Sequence, residues 1–566
     1  MTSSNAKKDR AAALPQELQE ALRRRLAGQA PPGAKARQGI PRADRSQPLP
    51  LSFAQQRLWF LDQLRPGDSR YNSAVALRLT GTLDRAALSR ALDAAPARHE
   101  SLRTTFDDVD GRPVQTVHPA APVPLPVRDL RAGQGPAPDA GEGTGTRPDA
   151  LDDLLLAEYS RPFDLRTGPL LRALLVRVAD DEHILLLTAH HIVTDGWSMG
   201  VLLDELCTRY DALAHGETPA PAPAATQYPD FAVWQRERLS GALLEEQLSY
   251  WTKQLDGTVP LELPLDRARG GEEAGDGAVH EFRVPAATAA RLREVAAQQH
   301  TTLFAALIAA CQALFARWSG QDDIAVGSLT PGRGRTELER AVGLFVNTVV
   351  LRAPVDTARS YRELLDVSAT AVLDAFAHDD TPFERIVEAA GTVREAGRNP
   401  LFDVMVLLHP APPAAPALRG MTAGTVTVPR RAATFDLSVE FVPDGDGLAG
   451  LLEYRTDLFD ASTAARMAEQ LVILLGGVAA EPDRPLGELS LLSERERRRL
   501  TTEWNETALP VAPTTYPAAF EAQTARTPHA TALVAGDTTL DYAALNARAN
   551  RLAHHLIDRG AGPEGL

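Results

Sequence analysis

Cysteine is almost missing. Cys207 and Cys311 are the only two in 566 residues, and they form no CxxC pair. That excludes a disulfide framework and a cysteine zinc cluster, and it is compatible with a reducing cytosol. Excess positive charge is also missing. Lys and Arg total 59 against 74 Asp and Glu, a net charge of -15. Such a chain is badly suited to sequence-independent nucleic-acid binding. No apolar run reads as long enough to span a membrane. The opening MTSSNAKKDRAAALPQ carries charge with no apolar stretch behind it, so it is not a secretory signal. These absences leave the cytoplasm as the default, without membrane or nucleic-acid partners.

What is present is length and apolar content. The chain is 44% hydrophobic and long enough for several domains. Leu18, Leu22 and Leu26 recur at four-residue spacing and predict an amphipathic helix over residues 14–27. A polar, Pro-rich tether follows. This leader, 1–46, reads either as a linker on the next domain or as a docking element. A dense region then runs to about residue 505. VALRLTG (75–81), LLRALLVRVA (170–179) and EHILLLTAHHIV (182–193) read as strands. DRAALSRALDA (84–94) and VLLDELCTRYDALA (201–214) read as helices. Residues 131–150 are rich in Gly, Pro and Asp and read as a mobile surface insertion. The Pro/Ala stretch 217–227 marks a boundary between lobes 47–225 and 226–503. The second lobe again mixes helices, such as LFAALIAACQALFARW, with strands such as DIAVGSL, FVNTVVLR and LFDVMVLL, which predicts α/β sandwich lobes. A linker (504–515) leads to a segment, 516–566, too short to bury a core of its own.

The chemistry gathers at the end of the apolar run ILLLTAHH. On a strand, successive side chains face opposite ways. One of His190 and His191 then enters packing, and the other can face a cleft. Asp195 and Gly196 follow as a turn, and Ser198 is placed to cap a helix starting near Met199. A neutral imidazole here can accept a proton from an attacking nucleophile. Asp195 can orient it or hold a cation. A second pattern overlaps the first. Gly196-Trp197-Ser198-Met199-Gly200 fits GxSxG, a serine-hydrolase elbow. That reading needs a downstream acid and histidine. Asp374 and His378 can be nominated, but nothing marks them out. His554 and His555 lie in a helical pattern and lack the Asp-Gly that follows the first pair.

Read together, His190-His191-Ile192-Val193-Thr194-Asp195-Gly196 resembles the HHxxxDG signature of nonribosomal peptide synthetase condensation domains. PLSFAQQRLWFLDQL (50–64), RHESLRTTF (98–106), YPDFAVWQ (228–235), GLFVNTVVLR (343–352), HDDTPFERIV (378–387) and RNPLFDVMVLL (398–408) resemble other segments of that family, in order. The likeness covers about residues 48–505. The first segment and DGWS look like the subtype that joins two L-configured residues. LDYAALNARANRLAHHLIDRG resembles the start of an adenylation domain, without its ATP-binding motifs.

The resemblance implies an α/β fold of two chloramphenicol-acetyltransferase-like sandwich lobes forming a V-shaped pseudo-dimer. His191 matches the histidine assigned to catalysis, with His190, Asp195 and Gly196 as signature support. GSLTPGR (327–333) resembles the segment whose Arg pairs with the signature Asp, here Arg333, although Ser-Leu stands where Thr-Pro is usual. Arg103 is a further support candidate. Trp197, Ser198 and Asn347 are candidates for the substrate tunnel, and N–H groups near Gly196 for an oxyanion site. Pro96, inside an expected helix, should kink it. His409 stands where Gln-Asn is common. The implied partners are an upstream donor and a downstream acceptor carrier protein, with an adenylation domain in cis. Substrates would ride on 4'-phosphopantetheine, with no metal and no cofactor bound by the domain itself. The alternatives are a serine thioesterase through Ser198, a coenzyme A acyltransferase, and a non-catalytic module that recruits carriers.

Overall fold

Contacts divide the computed structural model into two units, Met1–Ser493 and Glu494–Leu566. It describes residues 39–131, 148–219, 226–270, 276–391, 398–410, 418–510 and 514–562. The expected helix at 14–27 lies outside them, as do most of the 131–150 insertion and of the 217–227 connector.

In chain order the first unit opens with β1 (Leu49–Pro50), α1 (Phe53–Leu64), β2 (Asn72–Gly81) and α2 (Arg85–Arg98). Next come β3 (Thr104–Val109), β4 (Arg112–Val117), β5 (Val127–Asp129) and α3 (Pro148–Tyr159). β6 (Leu171–Arg177), β7 (Glu182–His190) and α4 (Gly196–Ala214) follow. Two helices, α5 (Tyr228–Arg238) and α6 (Gly241–Leu255), lead to β8 (Gly277–Val284), α7 (Ala286–Gln298) and α8 (Leu303–Ser319). Then come β9 (Asp323–Thr330), β10 (Asn347–Pro354), α9 (Tyr361–Ala377) and α10 (Phe383–Ala390). β11 (Val404–Leu408), β12 (Met421–Val426), β13 (Leu437–Asp444), β14 (Gly447–Arg455) and α11 (Ala461–Ala480) complete it.

The first sheet has the order β12-β2-β7-β6-β5. Its central strand β7 is buried from Ile184 to its end, because α3 covers one face while α2 and α4 cover the other. The second sheet has the order β10-β9-β11-β13-β14-β8, with β11 parallel to both neighbours. Helix α8 is apolar on every side and wholly buried from Phe304 to Ala316, as such a helix must be.

Two features join the halves. Strand β12, late in the chain, pairs antiparallel with β2 and so belongs to the first sheet. The β9–β10 connection, residues 331–346, leaves the second sheet and buries Leu338, Val342, Leu344 and Phe345 in the first core. Helix α5 also packs there through Tyr228 and Phe231.

Helix α2 runs on through Pro96 to Arg98. One expectation needs correction. Among the described residues one single helix, α11, is long and apolar enough by composition to cross a membrane. It is 50% buried within the protein, and Met467, Leu471, Leu474 and Leu475 place it in the second core.

The second unit holds α12 (Glu494–Thr501), α13 (Tyr516–Arg526), the hairpin β15 (Thr531–Ala535) and β16 (Thr538–Asp541), and α14 (Tyr542–Asp558). Val534, Leu552 and Ile557 remain exposed, so the unit encloses little core.

Candidate active site

The end of β7 sends its two histidines to different fates. His190 shares the strand face of Ile184, Leu186 and Thr188 and stands opposite Asn72 of β2. It is buried edge-on against Phe163, ring centroids 6.2 Å apart. Its Nδ1 accepts the Ile192 N–H at 3.1 Å and caps the short turn His191–Val193. Burial pushes its pKa down to about 3, so it is neutral and structural.

His191 opens that turn. Its Nδ1 lies 2.6 Å from the Thr194 carbonyl oxygen. A carbonyl only accepts, so Nδ1 carries the proton and Nε2 keeps its lone pair. Burial lowers its pKa and outweighs the Thr194 carbonyl and the Asp195 charge, which act the other way. Arg57 of α1 adds to the lowering. The ring is therefore a neutral base of fixed tautomer at pH 7.

Asp195, not Ser198, caps α4. Its Oδ1 accepts the Ser198 N–H at 2.7 Å. The helix starts at Gly196, three residues earlier than expected, because Asp195 is already extended and its carboxylate reaches back into the first turn. The Asp195 Oδ2 accepts the Phe345 N–H at 2.9 Å. Arg333 Nη2 lies 3.2 Å from Oδ1, with both side chains fully buried. Burial pushes the Asp195 carboxyl up, but the Arg333 charge and the two N–H donors win, and it stays below its ordinary 3.8. Arg333 also donates to the carbonyls of Leu338 and Ala341 and to Ser198 Oγ, and it stacks 4.2 Å over the Phe345 ring. A partnered charge is tolerated at this depth where a lone one would not be.

This cluster is the joint where residues 331–346 enter the first half. Two glycines make the fit possible. At Gly332, with φ +61°, a Cβ would sit 1.9 Å from the Phe345 carbonyl oxygen. At Gly343 it would sit 1.9 Å from the Tyr228 ring. Tyr228 Oη donates to the Leu344 carbonyl at 2.6 Å and meets Ser52 Oγ at 2.7 Å.

The serine-nucleophile expectation fails on this geometry. Ser198 is fully buried. Its Oγ donates to the Gly343 carbonyl and accepts from the Gly343 N–H and from Arg333. Among the described residues no histidine bonds to it. His378 instead stacks on Tyr250 at 3.9 Å and bonds the Asp374 carbonyl. The elbow pattern arises because a capped helix start also places a serine after a turn.

Other predicted residues scatter. Trp197 is half-buried and donates Nε1–H to the Glu339 carbonyl at 2.8 Å. Asn347 binds the backbone of Asp379, Thr381 and Phe383, and lines a cavity of about 450 Å³ beside Trp234 and Glu384. Arg103 is not brought to the cluster: it bonds the His118 carbonyl and lies 3.8 Å from Glu100. Residues not singled out from sequence include Thr194, Gly343 and the ion pair Arg57–Glu384 at 3.2 Å, which links α1 to α10. Arg57 and Glu384 both sit in segments that resemble the family, RLWF and TPFERIV, and that was the available signal.

Comparison with known proteins agrees with this fold. The family model described as "Condensation domain" matches residues 45–501. A linear gramicidin synthase component of Brevibacillus parabrevis is 41% identical over 526 residues, 92% of this chain. The chain spans only 7% of that relative's length. The X-domain from teicoplanin biosynthesis, solved in a complex with OxyB, is 30% identical with a TM-score of 0.70, covering 82% of this chain and 100% of that one. The first condensation domain of the CDA synthetase has the same fold at 24% identity, with a TM-score of 0.68 over 80% of this chain and 100% of that one.

Proposed function

The chain belongs to the condensation domain family, and from that premise we propose that it joins two carrier-bound acyl groups through an amide bond. The donor is an aminoacyl or peptidyl thioester and the acceptor an aminoacyl thioester, both L-configured and both on 4'-phosphopantetheine arms. The setting is nonribosomal peptide synthesis in the cytoplasm. The observation that carries this reading is the His191 tautomer, with Nδ1–H held by the Thr194 carbonyl and Nε2 left as the basic atom.

The reaction follows from that atom. A free α-amine has a pKa of about 8 and is largely protonated near neutrality. As its nitrogen attacks the thioester carbonyl, the C–N bond forms and the nitrogen becomes cationic. His191 Nε2 takes the proton, or holds the N–H in line for attack. The C–S bond then breaks, and the departing sulfur receives the proton as a thiol. The oxyanion needs donors at the start of α4. The Ser198 and Met199 N–H groups are spent on Asp195, which leaves those of Gly196 and Trp197 as the proposed donors. Asp195 and Arg333 act by holding the turn that carries His191.

Partners follow from the same reading: an upstream donor carrier, a downstream acceptor carrier, and an adenylation domain that begins near residue 516. The test is mass spectrometry of two loaded carriers mixed with the protein. Amide-linked product on the acceptor supports the reading, and free acid or unchanged carriers refute it. A second reading is favoured by the likeness to an X-domain solved with a protein bound to it. Under it the chain recruits a partner without forming an amide, and the same assay separates the two.

A further inference from the structure

A cavity of about 700 Å³ lies between the two sheets of the first unit, within the size range of small-molecule sites. Residues 74–76 of β2 and the stretch after β12 form one wall, and β8, β13 and β14 the other. Neither His190 nor His191 lines the cavity, but its wall runs along β2 towards the residue paired with His190. Asn72, where β2 begins, stands opposite His190, and Ala74 lies two residues, about 7 Å, further along the strand. Tyr159, also in the wall, accepts the Asn72 Nδ2–H on its carbonyl at 2.6 Å.

Most of the inner wall is aliphatic, with Ala74, Ala76, Val426, Val428 and Leu451. Asp276, Glu281 and Arg431 also line it, and three further charged groups meet at one place. Arg430 Nη1 lies 4.0 Å from Glu440 Oε1 and 4.0 Å from Glu453 Oε2, too far for a hydrogen bond to either. Glu440 is nine-tenths buried and gives its other oxygen to His409 Nε2 at 2.8 Å. His409 is the residue that departs from the family pattern, and this bond is what it does here. Glu453 is 13% exposed at its side chain, and burial pushes its pKa up to about 7, helped by Glu440 and opposed by Arg430 and by a hydrogen bond from the Thr434 backbone N–H. Two buried carboxylates therefore share one half-exposed guanidinium that bonds neither. Among the described residues no three His, Cys, Asp or Glu side chains are grouped to hold a metal ion. A cation that fits must bring its own apolar stem.

We propose that this cavity takes the side chain of one of the two joined residues and selects one that ends in a primary amine on an aliphatic stem. The amine would donate to Glu440 Oε1 and Glu453 Oε2, and the stem would lie along the alanine and valine wall. The proposal rests on the amide-forming reading and adds a substrate class to it.

The experiment uses the whole chain with loaded carriers and compares ornithine with norvaline, which has the same stem and no terminal nitrogen. One arm varies the donor residue against alanine on the acceptor, and the other varies the acceptor residue against alanine on the donor. In one arm kcat/KM for ornithine should exceed that for norvaline by about tenfold or more. That arm identifies which residue enters. Glu453→Gln and Glu440→Gln should each bring the ratio towards one while leaving the norvaline rate near wild type. Equal wild-type rates for ornithine and norvaline in both arms would overturn the proposal, whether or not either variant folds. So would an ornithine preference that survives both substitutions. Absence of amide from every pair, alanine with alanine included, would overturn the amide-forming reading and this proposal with it.

Discussion

Two of the arginine–carboxylate groups where the halves of the first unit meet are finished differently. At Asp195 and Arg333 both carboxylate oxygens accept short bonds from backbone N–H groups, and the guanidinium also binds two carbonyls and a serine. At Glu440, Arg430 and Glu453 the charges stop 4.0 Å apart at the edge of a cavity. The closed group holds backbone in place around His191. The open group bonds His409 and the Thr434 N–H, and its two carboxylates line the space a ligand would fill. Buried charge of the first kind is a fastening, and of the second kind a candidate binding site.

Breaking the closed group should have the largest effect on stability. Asp195→Ala or Arg333→Ala leaves the other charge buried alone and should cost about 3–5 kcal/mol in denaturant unfolding. The double variant should lose less than the sum, and strict additivity would show that the two are not coupled. The pH dependence has a definite sign. The Asp195 carboxyl is held below its ordinary 3.8, so its contribution is full above that value and is lost as pH falls through the lower folded one.

A smaller effect is expected at Ser198. Ser198→Ala leaves the Gly343 N–H and one Arg333 N–H without their acceptor, a loss of about 1–3 kcal/mol. Catalysis should survive, and a fluorophosphonate should not label the wild-type protein. Labelling at Ser198 would restore the hydrolase reading.

The smallest change in stability, and one of opposite pH sign, is expected at the open group. The Glu453 carboxyl is raised from its ordinary 4.5 to about 7. Between these values the folded state holds a proton that the unfolded chain has released, so stability falls as pH rises from 4.5 through 7. Glu453→Gln should flatten that slope in melting temperatures measured from about pH 5 to 8. An unchanged slope would mean that Glu453 titrates normally and that the open group is not strained.

Much of this was legible in the sequence. The strand period along ILLLTAH puts His190 in the core, but β7 ends there and a turn, not alternation, carries His191. Helix α14 falls where the helical pattern around His554 and His555 placed it. What was hidden depends on fit between distant segments. Nothing local to Leu338 or Phe345 says that a loop from the second sheet will finish the first core. Nor does MTAGTV announce that it pairs with β2. Asp195 and Ser198 are both good caps by type, and only the backbone angle at Asp195 decides between them. The cavity was hidden for the same reason: Glu440 and Glu453 meet across the β13–β14 hairpin, but Arg430 lies on the connection from β12 of the first sheet.

The most direct test concerns His191. Two loaded carriers are mixed with wild type or with His191→Ala, product is read by mass spectrometry, and melting temperature is measured on the same samples. Amide-linked product should form about 100-fold more slowly, or slower still, with the melting temperature close to wild type. Product at the wild-type rate from folded His191→Ala would contradict the assignment of His191 Nε2 as the atom that meets the amine.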